Sequence, residues 1–185
     1  MSVLCDRQIQ KLVSDEKLIE WTTKAELETI TGRINPNSID LTIALPYYKP
    51  VPQLIPLDYG KGTPEQYWKR MNYGITLEPG DVILAGTTEY IRMPAGYCGQ
   101  IFTKSSLGRM FINHMMAGVI DSGFEGCITL ELKNEGKHTV YIPIGARVVQ
   151  MVVYKMDGVP EVPYNRKADS RYCFAEGIEF SKAEK

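Results

Sequence analysis

Two cations and three hydroxyls stand together in the seven residues 103–109, TKSSLGR. Hydroxyls and cations can jointly bind phosphate oxygens, and an arginine such as Arg109 can do so through two parallel hydrogen bonds. The segment lacks the GxxxxGK[ST] spacing of a P-loop, so a phosphate site here would be of another kind. A simpler interpretation stays open, in which Ser105 or Ser106 caps a helix start and both cations face water.

Two carboxylates follow glycines further along the chain. Residues 117–126 read AGVIDSGFEG, whose glycines permit tight turns and a close approach of the backbone to a ligand. Asp121 lies in this segment and Glu131 in the alternating stretch 127–132 that follows it, and both are candidates to contact such a ligand. A plain β-hairpin, with Asp121 in its turn and Glu131 on a solvated strand face, explains the same pattern.

The segment 145–150, GARVVQ, places polar residues in an otherwise apolar run. Arg147 and Gln150 interrupt the stretch 147–154, whose other residues suit a strand buried on both faces. A buried polar group needs hydrogen-bond partners, which makes both side chains candidates for a functional role. A turn that leads into a central strand is the structural alternative.

Several kinds of site are excluded by what the chain lacks. It has only two histidines, His114 and His138, which excludes a multi-histidine metal site. Its four cysteines form no CxxC pair, so neither a thiolate zinc site, a redox dithiol nor a disulfide framework is indicated. Lysine and arginine total 21 against 22 acidic residues, and a net charge of -1 provides no bulk attraction to nucleic acid or to an anionic membrane. Because no signal peptide or membrane span is recognised, the expected compartment is the cytoplasm.

The elements that position these residues are predicted to be mainly β-strands. The length of 185 residues indicates a single domain of ordinary globular composition. Proline and glycine recur together as turn signals between short β-branched or alternating runs, a spacing typical of a barrel or sandwich. The clearest strands are residues 82–85, 127–132 and 147–154, and the last is expected at the centre of the sheet.

Two other segments differ from this pattern. A short helix is predicted near the N-terminus, capped by Asp6 and burying the face formed by Ile9, Leu12 and Val13. Residues 58–74 are polar and aromatic with weak periodicity, which indicates an excursion from the sheet with one helical turn around 65–71.

The ordered segments SSLGR, AGVIDSGFEG, ITLEL and GARVVQ, with NSIDL upstream at 37–41, resemble the trimeric dUTPase and dCTP deaminase superfamily. The resemblance extends from LCDR at residues 4–7 to the region 164–177. Simple dUTPases usually carry no carboxylate at the position of Glu131, where dCTP deaminases have their catalytic glutamate, so the deaminase branch is favoured. The resemblance implies a distorted, jelly-roll-related β-barrel formed by one domain, 1–185, with residues 164–185 as a tail that closes over the active site.

The same resemblance implies a mechanism without zinc, unlike that of other cytosine deaminases. Glu131 would be the general base toward water and then the general acid, with Ser105, Arg109 and the backbone carbonyl of Ala117 as positioning groups. Asp121 would contact the deoxyribose hydroxyl and orient the water that attacks the triphosphate. Mg2+ would be held through the substrate phosphates rather than directly by the protein, with Asp40 as a candidate to support that network.

The remaining implied roles concern binding and assembly. Phe124 is a candidate to lie under the sugar, or alternatively a core aromatic of a hairpin. The chain is expected to form a homotrimer with sites between subunits and to bind no nucleic acid or membrane. The substrate-binding residues implied by the resemblance are Lys104, Ser105, Ser106, Leu107, Gly108, Arg109, Ala117, Asp121, Thr129, Leu130, Gln150, Tyr164, Arg171 and Tyr172.

Three local features bear on which reaction is catalysed. Gly118-Val119 stands where deaminases that stop at dUTP tend to have His-Arg, which favours the bifunctional, dUMP-forming type. Lys104 replaces the usual arginine, and Ala175 replaces a glutamine of the tail, which puts recognition of the terminal phosphate in question. The alternatives left open are a deaminase that stops at dUTP or acts on dCMP or dCDP or a modified cytosine nucleotide, a dUTPase, and a catalytically silent nucleotide sensor.

Overall fold

The computed structural model describes residues 1–114 and 117–183, and helices form a small part of it. The helices are α1 (Asp6–Asp15), α2 (Lys24–Thr31) and the short α3 (Ser105–Gly108). Helix α1 buries Ile9, Leu12 and Val13 as predicted, but its N-cap is Cys5 rather than Asp6, which is the first helical residue.

Helix α2 was not predicted, although its start carries a recognisable signal. Thr23 and Glu26 form a capping box, in which the Glu26 N–H donates to Thr23 Oγ1 and the Glu26 carboxylate accepts from the backbone N–H of Thr23. Hydrogen bonds from Thr22 and Thr23 lower the pKa of Glu26 to about 2. Only Ile30 of this helix is buried, so the apolar periodicity is too weak to reveal it.

Twelve strands make up most of the regular structure in the described residues. In chain order they are β1 (Ser2–Val3), β2 (Ile34–Asn35), β3 (Ser38–Pro50), β4 (Trp68–Met71), β5 (Ile75–Leu77), β6 (Val82–Arg92), β7 (Tyr97–Thr103), β8 (Ile112–His114), β9 (Val119–Ile120), β10 (Glu125–Asn134), β11 (Val140–Ile142) and β12 (Arg147–Lys155). The prediction of a mainly β fold with few helical turns is confirmed.

One large antiparallel sheet is built in the order β8-β10-β6-β3-β12-β7-β9, while β5 and β11 pair separately. Strand β3 is long enough to pair with β12 through residues 39–42 and with β6 through residues 43–48, which curls the sheet around the apolar core. Strand β12 lies between β3 and β7, so its predicted central position is correct.

The expectation that β12 is buried on both faces is wrong. Val148, Val149, Met151 and Val153 are buried. The residues that alternate with them, Gln150, Val152 and Tyr154, are only half-buried. One face of this antiparallel sheet therefore stays partly open, and Gln150 lies on that face.

Strand β10 alternates as predicted. Ile128, Leu130 and Leu132 are buried in the core, and Thr129 and Glu131 lie half-buried on the opposite face. Glu131 pairs in register with Leu84 of β6 on one side, and the adjacent Leu132 pairs with His114 of β8 on the other.

The excursion (residues 58–74) contains 3-10 turns at Tyr59–Lys61 and Glu65–Tyr67 and then continues as β4, so the helical turn predicted around 65–71 is too long. Residues 68–71 are extended because they pair with residues 47–50 of β3. The predicted tail, 164–185, is described as far as residue 183, and its last two residues lie outside the described residues. It begins with a 3-10 turn at Tyr164–Arg166. Within the described part of the chain, no helix is both long and apolar enough to cross a membrane.

Candidate active site

Glu131 lines a cavity of about 390 Å³ that lies between β10, the Asp121 turn and the C-terminal tail. Ala117, Asp121, Phe124 and Thr129 line the same cavity, so the structure brings these predicted site residues together with Glu131. The other lining residues are Trp68, Leu84, Val119, Ile120, Cys127, Ile128, Tyr164, Tyr172, Ala175, Glu179, Phe180 and Ser181. The Glu131 side chain is 31% exposed, although its Oε2 atom is buried, so part of the side chain is accessible to a bound molecule.

His114 lies directly behind this carboxylate. Its Nδ1 is 3.7 Å from Glu131 Oε2, and only 2% of the histidine side chain is exposed. Backbone groups of Glu131 and Ala117 also lie close to the His114 ring and favour its protonated form, whereas Oε2 of Glu131 has no hydrogen-bond partner within the described residues. Burial lowers the pKa of His114, and the charge of Glu131 opposes that shift. A neutral imidazole therefore lies behind the carboxylate at neutral pH.

This neighbour of Glu131 was missed by the sequence reasoning, which used His114 only to exclude a metal site. The pairing of β8 with β10 brings it there, and β8 contains only three residues. Such a short strand produces no alternation that a sequence pattern could detect.

The Asp121 turn is held tightly against the start of the tail. Phe124 N–H donates to Asp121 O at 3.0 Å, and Tyr164 N–H donates to Ser122 O at 2.8 Å. Gly123 has a φ of +82°, and a Cβ atom there would lie 2.6 Å from Pro163 Cβ. The glycine is therefore required both by its backbone conformation and by the close approach of the tail.

Phe124 is only 9% exposed and lies against Tyr164, with ring centroids 6.2 Å apart. It is a member of the core cluster and also lines the cavity, so the prediction that it lies under a bound sugar stays a prediction. Cys127 also lines the cavity, and burial raises the pKa of its thiol, which disfavours a nucleophilic thiolate.

A second group of predicted residues lies outside this cavity. In a single chain, the predicted residues that do not line it are Lys104, Ser105, Ser106, Leu107, Gly108, Arg109, Leu130, Gln150 and Arg171. Helix α3 spans Ser105–Gly108 with Lys104 as its N-cap residue, so the expectation of a serine cap is wrong. Ser105 and Arg109 are exposed, whereas Leu107 and Leu130 are buried in the core and could offer a ligand only backbone groups.

Asp40 connects this second group to the NSIDL and GARVVQ segments. Its carboxylate is only 1% exposed and makes an ion pair with Lys104 and, at 3.5 Å, with Arg147. Asn35 Nδ2 donates to its other oxygen at 2.9 Å. Gln150 is the cross-strand neighbour of Asp40 in the pairing of β12 with β3. Three separated motifs thus converge on one polar cluster around a buried carboxylate.

Some residues of the tail line the cavity, and others contact the residues that line it. Tyr164 and Tyr172 line the cavity, and the Tyr164 hydroxyl accepts hydrogen bonds from the N–H groups of Arg171 and Tyr172, each at 3.2 Å. Ala175 is 4% exposed and lies against Gly126, where an added Cβ would be 3.0 Å from Ala175 N. Ala175 is therefore buried with its backbone close against Gly126.

Metal ligands are not clustered in the part of the chain that the structure describes, where no group of three or more His, Cys, Asp or Glu side chains could hold an ion. The oxygens that the structure offers to a cation are single carboxylates, such as those of Asp121 and Glu131. A metal bound mainly through a ligand's own phosphates is compatible with this arrangement.

Comparison with known proteins supports the family that the ordered sequence motifs indicated. The family model described as dCTP deaminase-like matches residues 3–156. A protein named "dCTP deaminase, dUMP-forming" from Dictyoglomus turgidum is 31% identical over 97% of this chain and 94% of its own length. A protein of the same name from Methanosphaera stadtmanae is 32% identical over 98% of this chain and 94% of its own length.

A solved structure shares the fold. The 2'-deoxycytidine 5'-triphosphate deaminase from Agrobacterium tumefaciens superposes with a TM-score of 0.62 at 22% identity, over 82% of this chain and 46% of the other chain. The resemblance that the sequence motifs indicated is thereby confirmed. The chain belongs to the dCTP deaminase-like family.

Proposed function

We propose that the protein deaminates dCTP at C4 of cytosine and hydrolyses the resulting triphosphate, converting dCTP and two waters to dUMP, ammonia and pyrophosphate. The observation that carries the proposal is the Glu131 carboxylate, half-buried in a cavity that Asp121, Thr129 and Tyr172 also line. The naming of its relatives as dUMP-forming dCTP deaminases, at about 30% identity over nearly the whole chain, supports it.

In the deamination step, Glu131 accepts a proton from the water that attacks C4. It passes that proton to N3, then takes the proton of the new C4 hydroxyl and delivers it to the amine, which leaves as ammonia while the C4 carbonyl forms, so one carboxylate serves as base and as acid. The neutral imidazole of His114 behind it supplies no competing positive charge and leaves the carboxylate free to take up the proton. Ala117 lines the same cavity, and in this proposal its backbone carbonyl accepts a hydrogen bond from the water or the amine.

In the hydrolytic step, Asp121 orients the second water and contacts the deoxyribose hydroxyl. Mg2+ would be held through the substrate phosphate oxygens rather than by a protein ligand set, and would supply positive charge that offsets theirs. Asp40 holds Lys104 and Arg147, the two cations that face the phosphates in this proposal. Gln150, next to Asp40, completes the polar cluster.

A homotrimer with shared sites accounts for the separation of the two residue groups. Ser105 and Arg109 are exposed and do not line the Glu131 cavity of their own chain, so a second copy would bring them to it. Mixing two inactive variants, Glu131→Gln and Arg109→Met, should then restore about one quarter of the sites in randomly mixed assemblies of cyclic symmetry. No recovery after mixing would place both residues in one chain.

The tail completes the site in this proposal. Residues 164–183 would close over the nucleotide within the single domain, with Tyr164, Arg171 and Tyr172 toward the phosphates. The reaction requires only small cytoplasmic metabolites, and we expect the protein in that compartment.

The decisive experiment is chromatography of the products from dCTP, dCDP, dCMP and dUTP, each incubated with Mg2+. We expect dUMP, pyrophosphate and ammonia from dCTP with little free dUTP. Stoichiometric accumulation of dUTP would mean a deaminase that stops there, and turnover of dUTP alone would mean a dUTPase. Turnover of dCDP or dCMP in preference to dCTP would reassign the substrate, and the absence of any turnover would favour a nucleotide sensor.

A further inference from the structure

An aromatic cluster joins the excursion to the tail. Phe180 of the tail stacks on Trp68, with ring centroids 5.6 Å apart and an interplanar angle of 22°. Tyr48 of β3 meets the same phenylalanine edge-on, with centroids 5.0 Å apart. The indole N–H of Trp68 is buried without a hydrogen-bond partner among the described residues, so ring packing holds this side chain in place.

Backbone contacts reinforce the junction beside the rings. Thr63 N–H donates to Ser181 O at 2.7 Å, and Gly62 forms a bridge with Lys182. A Cβ atom on Gly62 would lie 2.4 Å from Ser181 O, so only glycine permits this approach. The excursion and the tail therefore meet as two fitted segments and not through a single side chain.

The segment that these contacts hold also forms one wall of the Glu131 cavity. Glu179 N–H donates to Thr129 Oγ1 at 2.9 Å, two residues before Glu131 on β10. Trp68, Glu179, Phe180 and Ser181 all line the cavity. Gly86 of β6 lies close beneath the tail, since a Cβ there would be 3.3 Å from Ile178.

We propose that Trp68 and Phe180 are positioning residues: their stack latches the tail against β10 and so maintains the cavity wall at Thr129 and Glu131. The excursion thereby takes part in the site although it carries none of the family's motifs. That this wall governs nucleotide binding rests on the proposed function, whereas the latch itself does not.

The latch is tested without activity, because the chain has only two tryptophans. In a Trp21→Phe background, the fluorescence comes from Trp68 alone. Phe180→Ala should shift that emission to longer wavelength, increase its quenching by acrylamide and accelerate tryptic cleavage after Arg171. The matched control is Phe174→Ala, an exposed phenylalanine of the same tail that does not line the cavity. Unchanged emission and cleavage in Phe180→Ala would overturn the latch.

The kinetic consequence is tested on the full-length enzyme. Phe180→Ala and Trp68→Ala should each raise KM for dCTP about 3- to 10-fold, the range of an aromatic pair, with a smaller change in kcat. Trp68→Phe keeps a stacked ring and should restore most of the binding. An unchanged KM in a variant whose tail is shown to be released would overturn the positioning role. If the unmutated chain turned over no dCTP, the proposed function would fail, and the fluorescence and cleavage rates would still decide the latch.

Discussion

His114 Nδ1 lies 3.7 Å from Oε2 of Glu131, the one carboxylate of strand β10 that lines the cavity. At this distance the two groups attract each other strongly only when the imidazole is protonated, because the separation exceeds that of a hydrogen bond. Burial opposes that protonation by lowering the pKa of His114. Protonation of His114 therefore changes both the charge beside Glu131 and the stability of the folded chain.

We expect His114 to make the protein less stable as the pH falls below 6.5, the ordinary pKa of histidine. The unfolded chain binds a proton there and the folded chain resists it, so the free energy of unfolding falls by up to about 1.4 kcal/mol per pH unit from this residue. His114→Gln should flatten this dependence between pH 7 and 5 in urea titrations. His138→Gln, an exposed control, should leave the slope as it is. Equal slopes in all three proteins would contradict the prediction.

Substitution of Glu131 should remove the chemistry and spare the fold. Glu131→Gln preserves size and polarity but cannot take up the proton of the attacking water, so ammonia release from dCTP should drop by about 10²- to 10⁴-fold. Thermal unfolding should change little, since the carboxylate is partly exposed and has no close hydrogen-bond partner on Oε2. Glu135→Gln, on the exposed loop after the same strand, is the control that should keep full activity. Deamination retained by Glu131→Gln would exclude this residue as the base.

Asp40 should be more important to stability than either of its cationic partners. Asp40→Asn leaves Lys104 without its buried counter-charge and weakens the hydrogen bond from Asn35, which we expect to cost about 1–3 kcal/mol of unfolding free energy. Arg147→Met should cost less than about 1 kcal/mol because its side chain is 55% exposed and 3.5 Å from the carboxylate. Urea denaturation measures both, and a larger effect of Arg147→Met would contradict this order.

Alanine substitutions at two glycines distinguish the cost of a positive φ from the cost of steric crowding. Gly145 has a φ of +76° with open space around it, so Gly145→Ala should cost only about 1–2 kcal/mol of unfolding free energy. Gly123 has a similar φ, but its Cβ would collide with Pro163, so Gly123→Ala should cost more and should displace the tail. Calorimetry measures the two costs, and tryptic cleavage after Lys167 reports the displacement. Similar costs and an unchanged cleavage rate would show that the tail tolerates the added methyl group.

The chain sequence was sufficient for the features that depend on local order. The alternation of Ile128, Leu130 and Leu132 determined which face of β10 is buried and left Glu131 on the other. The helix at residues 6–15 followed from the spacing of its three apolar residues. The motifs in their order indicated the family, since each motif is contiguous and carries its own recognisable residue types.

The tertiary structure alone decided which distant residues meet. His114 reaches Glu131 through a three-residue strand, and Phe180 reaches Trp68 across more than a hundred residues, so neither contact leaves a periodic pattern in the sequence. The same holds for the division of the predicted residues between the Glu131 cavity and the Asp40 cluster. Local patterns record which side of an element faces the core, whereas the pairing of strands and the path of the tail depend on packing between segments that are far apart in the chain.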